Sequence, residues 1–128
     1  MKKFILIVMV LVSFLAIPAF AAQSIKIAVA ANDKVPTATV SGQAATAPYF
    51  LFFDQKGKML EAVQNPYKDA DRAGPSVVGF LAGKGITVVV AGGFGPKIMD
   101  DMKTKGITPV SFNGAAEAVK KFLQSKLK

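Results

Sequence analysis

Ala91 to Lys97 reads AGGFGPK and follows the apolar run ITVVV without a break. Three glycines, a proline and a lysine at the end of a buried strand point to recognition of an anion. Glycine lets a ligand approach main-chain N–H groups closely, proline starts a helix whose first N–H groups are unpaired, and the positive end of that helix favours negative charge. The same residues also make a tight strand-to-helix turn, so a ligand cradle and a plain turn are both open at this point.

Two nucleotide motifs fail on spacing. Gly93-Phe94-Gly95 is followed by Pro96, Lys97 and Ile98, so the third glycine of G-x-G-x-x-G is missing. A Walker loop ends in G-K-[ST], whereas Lys97 follows a proline, and the segment GFLAGKGIT around Lys84 is one residue short between its glycines and sits at a helix end. What survives is a bare strand end, free N–H groups and a lysine in the first helical turn.

Side-chain chemistry is limited elsewhere. The chain contains no His, Cys or Trp, which removes Ser-His-Asp and Cys-His catalysis and the usual ligands of zinc, copper, haem and iron-sulfur clusters. Its carboxylates are scattered. Asp33 follows the first strand and is the one expected near the glycines, Asp54 lies by a hairpin turn, Asp69 and Asp71 lie in a loop, and Asp100 and Asp101 lie on a helix. Metal-assisted hydrolysis needs several converging carboxylates, and nucleic-acid binding needs clustered arginines or interleaved exposed aromatics; neither pattern is present. The expectation is therefore a protein that is not an enzyme and does not bind nucleic acid.

These residues need a scaffold, and the hydrophobic pattern supplies one. SIKIAVA (Ser24 to Ala30) alternates as a first strand, and a long small-residue loop, ANDKVPTATVSGQAATAP, follows it. YFLFFD and MLEAVQN form a hairpin around Gly57, with Tyr49, Phe50, Phe52 and Phe53 read as core, and NPYKDADR is a polar loop. Pro75 marks the first turn of a helix with Val77, Phe80 and Leu81 on one face. ITVVVA is a strand covered on both faces, and Pro96 starts a helix to about Lys105 with Met99 and Met102 inward and Gly106 as its stop. ITPVSF is an edge strand because of Pro109. Asn113 is expected to cap a last helix in which Ala115, Val119, Phe122 and Leu123 repeat, with Lys120, Lys121, Lys126 and Lys128 on a solvated face. This order predicts a mixed sheet with helices on its faces, and places the helix starts at Pro96 and Ala115 with the end of the first strand at one rim, where open α/β sheets bind ligands.

The chain opens MKKFILIVMVLVSFLAIPAFAAQS, with two lysines, an apolar run from Phe4 to Ala16, Pro18 and small residues. That reads as a secretory leader, residues 1–21, cleaved after Ala21, with residues 22–128 as a single domain; an uncleaved anchor is the alternative. Without Lys2 and Lys3 there remain 14 basic against 8 acidic side chains, a net charge of +6. That balance favours anionic partners. The expected location is the periplasm or the exterior, with membrane contact only through an uncleaved leader.

SIKIAVA, VSGQAATAPYFLFFD, AGPSVVGFLAGKGITVVVAGGFGPK and KGITPVSFNGAAEAVKKFL together resemble the dinitrogenase iron-molybdenum cofactor biosynthesis domain, of the NifX and NifB C-terminal type. The resemblance covers nearly all of the chain after the leader. It implies a three-layer ribonuclease H-like α/β architecture with a five-stranded mixed sheet, the second strand antiparallel to the rest. It also implies a carrier of an iron-sulfur or iron-molybdenum cofactor or precursor. In the family the loop before the Y-F strand commonly reads S-x-H-F-G-R-A-P; here Ser41 to Pro48 reads SGQAATAP. The histidine, phenylalanine, glycine and arginine are gone, so a cofactor is held here, if at all, without His or Cys ligation.

The leading expectation is an exported, non-enzymatic binding protein for a small anionic ligand or metal cofactor. The contacts assigned to it are Ser41, Gln43, Gly92, Gly93, Gly95, Lys97 and Asn113, with no catalytic residue and no side-chain metal ligand. The alternative is an envelope protein-interaction module that uses the long loop and the lysine-rich last helix, with no small-molecule ligand.

Overall fold

The computed structural model describes residues 25–126, with side chains described to Leu123. The expected leader lies outside these residues. The elements are β1 (Lys26–Ala31), β2 (Tyr49–Asp54), β3 (Met59–Gln64), α1 (Ala73–Gly83), β4 (Val88–Ala91), α2 (Pro96–Thr104), β5 (Thr108–Ser111), a 3-10 turn (Ala116–Ala118) and α3 (Val119–Lys126). Five strands form one sheet in the order β3-β2-β1-β4-β5. β2 pairs antiparallel with both β1 and β3, while β4 runs parallel to β1 and β5 parallel to β4. β2 is therefore the one strand opposed to the rest, as the resemblance implies, and Pro109 does lie on an edge strand.

Strand alternation divides the core in two. On one face Ala28, Phe50, Phe52 and Val89 pack against Val77, Leu81, Ile98 and Met102 of α1 and α2. On the other, Ile27, Val29, Leu51 and Val90 pack against Val119 and Leu123 of α3. The aromatic strand is core, with Phe50 and Phe52 fully buried. In the hairpin turn Gly57 takes φ +88°, and the Asp54 carboxylate accepts the N–H groups of Lys56 and Lys58 at 2.9 Å each. Those bonds, that from Lys58 foremost, hold the Asp54 carboxyl below the usual carboxylate range.

Two local expectations are corrected. Met99 is 44% exposed, because α2 turns Ile98 and Met102, one helical turn apart, into the core and leaves the residue beside Ile98 outside. Asn113 does not cap the last helix. Ala115 precedes the 3-10 turn with extended backbone and no side-chain cap, since Val40 N–H donates to the Gly114 carbonyl and Ala116 N–H to the Ala38 carbonyl. Those two bonds hold Ala115 extended alongside residues 38–40, so it also falls outside the helix.

The long loop after β1 is ordered by the sheet end it crosses. Ala38 and Val40 are buried in the core beneath α3, while Ala44 and Ala47 are buried in the core beneath α1 and α2. The chain from Ser41 to Gln43 is thus a strap carried over the end of the sheet from one face to the other. Ser41 N–H donates to the Ala30 carbonyl at 2.7 Å and starts the crossing.

Candidate functional site

The strap passes directly over the end of β4. Gly92 N–H donates to the Ser41 carbonyl at 2.7 Å, and Ala44 N–H donates to the Gly93 carbonyl at 3.2 Å. A Cβ on Gly92 would stand 2.9 Å from Gly42 Cα and 2.9 Å from Asn113 Oδ1, and one on Gly93 would stand 3.0 Å from the Gly42 carbonyl oxygen. These two glycines are bare because the protein's own backbone lies against them. Gly95 differs: nothing lies within 4 Å of where its Cβ would be.

Beyond the strap the main chain is open. The N–H groups of Gly93, Phe94 and Gly95, and those of Lys97 and Ile98 in the first turn of α2, meet no acceptor among the described residues. Gly95 stands at the N-cap position with no side chain to bond, Pro96 follows it, and no acidic residue occupies the first turn. A lysine there opposes the helix dipole instead of complementing it. Lys97 is exposed and makes no ion pair among the described residues.

A second helix begins beside the first. A Cβ on Gly74, in the first turn of α1, would lie 3.7 Å from Ile98 Cβ in the first turn of α2. α1 also lacks an acidic residue in its first turn and has Arg72 at its N-cap position without a side-chain cap. Two uncapped helix starts with a basic residue at each therefore share this rim. Arg72 was not singled out from the sequence, because NPYKDADR shows a polar loop but not the end of the sheet at which it finishes.

The expected contacts separate into two groups. Gly92, Gly93, Ser41 and Asn113 are brought together, but around the strap. Ser41 is 6% exposed, and its hydroxyl donates to the Gln43 carbonyl at 3.1 Å and accepts Gln43 N–H at 3.3 Å. Gln43, Gly95 and Lys97 are exposed. The Asp33 carboxylate is used locally, accepting Lys34 N–H at 2.7 Å.

Asn65, read from sequence as part of a polar loop, is only 2% exposed. Its amide donates to the carbonyls of Ala45 and Ala47 at 2.9 Å each, and its Oδ1 accepts Tyr67 N–H at 2.9 Å. It clamps the far end of the strap. An asparagine before a proline was its only sequence signal.

Side-chain ligation of a metal cluster does not fit this chain. It has no His or Cys, and among the described residues no three carboxylates gather as a metal site. The donors present at the rim are amides and cations, which suit the negative periphery of a cargo but not bonds to its metals.

Residues 23–125 match the sequence profile of the family described as dinitrogenase iron-molybdenum cofactor. The apo form of the orange protein from Desulfovibrio gigas is similar in structure, with a TM-score of 0.70 and 25% identity over 79% of this chain and 88% of that one. A Thermotoga protein provisionally assigned as NifB gives a TM-score of 0.68 at 25% identity, over 79% and 88% of the two chains. A Methanocaldococcus jannaschii protein provisionally assigned as a dinitrogenase shares the fold at 11% identity, with a TM-score of 0.53 over 80% and 91%. No protein of curated function matches the sequence significantly. With the profile spanning all five strands and the strap between the first two, the chain belongs to the dinitrogenase iron-molybdenum cofactor family.

Proposed function

We propose that this protein is a non-enzymatic carrier that holds a small anionic ligand, or the anionic periphery of a metal cofactor, at the rim where α1 and α2 begin. The observation that carries the reading is the start of α2: free N–H groups on Gly93, Phe94, Gly95, Lys97 and Ile98, no cap, and a lysine where an acid would suit the dipole. A bound anion would satisfy those amides and turn Lys97 from an unfavourable charge into a favourable one. The family supports a cargo of the iron-molybdenum class, docked here without side-chain bonds to metal. Gln43 and Arg72 are the exposed polar side chains that would complete the contact, while Ser41 and Gly92 hold the strap in place.

Export to the periplasm or exterior belongs to the same proposal and rests on the lysine-flanked apolar leader. Intact mass of protein recovered from the envelope would begin at Ala22 if it is right.

Equilibrium dialysis against molybdate and inorganic phosphate tests the binding. Retention of either anion at micromolar concentration is expected, with about tenfold weaker retention in an Arg72→Gln, Lys97→Gln double variant. Gly95 has φ −71°, which suits proline, so Gly95→Pro deletes one of the free amides and is expected to weaken binding further. No retention of either anion, or equal retention by all three proteins, would overturn the reading.

A further inference from the structure

A groove of about 670 Å³ lies on the face that α3 covers, at the opposite end of β1 from the glycines. Ile25, Phe53, Val119 and Leu123 supply apolar lining, and Lys56 and Lys120 are exposed at its edge. The stem of Lys120 lies against Gly57, where any Cβ would collide with it. α3 thereby places this cation beside the hairpin turn that carries Lys56. Neither lysine lies within ion-pair distance of a carboxylate among the described residues, although the Asp54 carboxylate of the same turn acts on Lys56 electrostatically. Among the described residues, Glu117 is the only acidic side chain lining the groove.

We propose that this groove binds a single-chain carboxylate amphiphile, with its alkyl chain on the apolar lining and its carboxylate at Lys56 and Lys120. The volume falls within the range of small-molecule pockets, about 300–1,000 Å³. An apolar lining edged by two exposed ammonium groups is complementary to an alkyl chain ending in one anion. Glu117 repels a second negative charge, which favours a carboxylate over a dianionic phosphate monoester. None of these residues belongs to the rim, so the proposal does not depend on the carrier reading.

Methyl NMR of the full chain, titrated with hexanoate, octanoate and decanoate below their micelle concentrations, tests it. Shifts at the methyls of Ile25, Ile27, Val119 and Leu123 are expected, with affinity rising about fourfold for each added methylene until the groove is filled. The exposed double variant Lys56→Gln, Lys120→Gln should bind decanoate about threefold to tenfold more weakly while binding decan-1-ol within about twofold of the parent. Absence of these shifts with decanoate overturns the proposal, as when the chain's own segments fill the groove. So does an affinity independent of chain length, or a lysine variant that affects the acid and the alcohol alike.

Discussion

The two halves of AGGFGPK have similar composition and opposite surroundings. Gly92 and Gly93 are covered: the strap lies on them and takes one hydrogen bond from Gly92 N–H and gives one to the Gly93 carbonyl. Gly95, Pro96 and Lys97 are exposed, and the N–H groups of Gly95 and Lys97 face no acceptor among the described residues. The difference teaches that a glycine-rich strand end is not one device. Its first half accommodates the chain's own crossing backbone and leaves only the Gly93 N–H free, whereas its second half is open.

The largest break in that comparison should come from Gly92→Val. The added atoms meet main chain at Gly42, which cannot move aside as a flexible side chain would. A loss of about 3 kcal/mol in urea denaturation is expected, in the range of core overpacking. Asn65→Ala attacks the same strap from its far end. It leaves the Ala45 and Ala47 carbonyls and Tyr67 N–H without their partner, for about 2 kcal/mol, and should speed amide exchange between Ser41 and Ala47.

The open half should respond in the other sense. Gly95→Ala adds a Cβ into free space at an ordinary φ of −71°, so it should be neutral or stabilise by about 0.5 kcal/mol through the unfolded chain. A loss at Gly95 as large as that at Gly92 would erase the distinction between the halves. The smallest effect is expected at Asp54, far from both. Its carboxyl is depressed in the fold, so its contribution is complete above the ordinary carboxylate value and is lost as pH falls through the lower folded value. Asp54→Asn should therefore lower stability slightly at neutral pH, leave it almost unchanged below the folded value, and so flatten the acid limb of the profile, as followed by thermal melts at several pH values.

Much of the scaffold was legible because its signals are local. Alternation marked β1, a continuous apolar run marked the buried β2 and β4, and prolines marked the start of α2 and the edge position of β5. Met99 was misread because two methionines at neighbouring helical positions carry equal hydrophobic weight. Only the contact between α2 and the sheet decides which of them faces inward. Asn113 was misread because an asparagine before a helical pattern is a good cap signal, and nothing nearby in sequence announces that residues 38–40 will hold the following segment extended. At the candidate site, Gly95 and Lys97 were legible as open groups. The second roles, Asn65 as a clamp and Arg72 at the neighbouring helix start, were not, since both sit in a segment whose composition says only that it is polar.

By itself the sequence determined the element order, the helix start at Pro96, the positive charge balance and the absence of any histidine or cysteine to bind a cluster. These follow from residue type and from spacing along the chain. Tertiary structure decided which glycines are covered, which are open, and that α1 begins beside α2. Those outcomes depend on close approach between segments remote in sequence, where a separation of 2.9 Å between a would-be Cβ and Gly42 excludes a side chain at Gly92 and no local pattern records it.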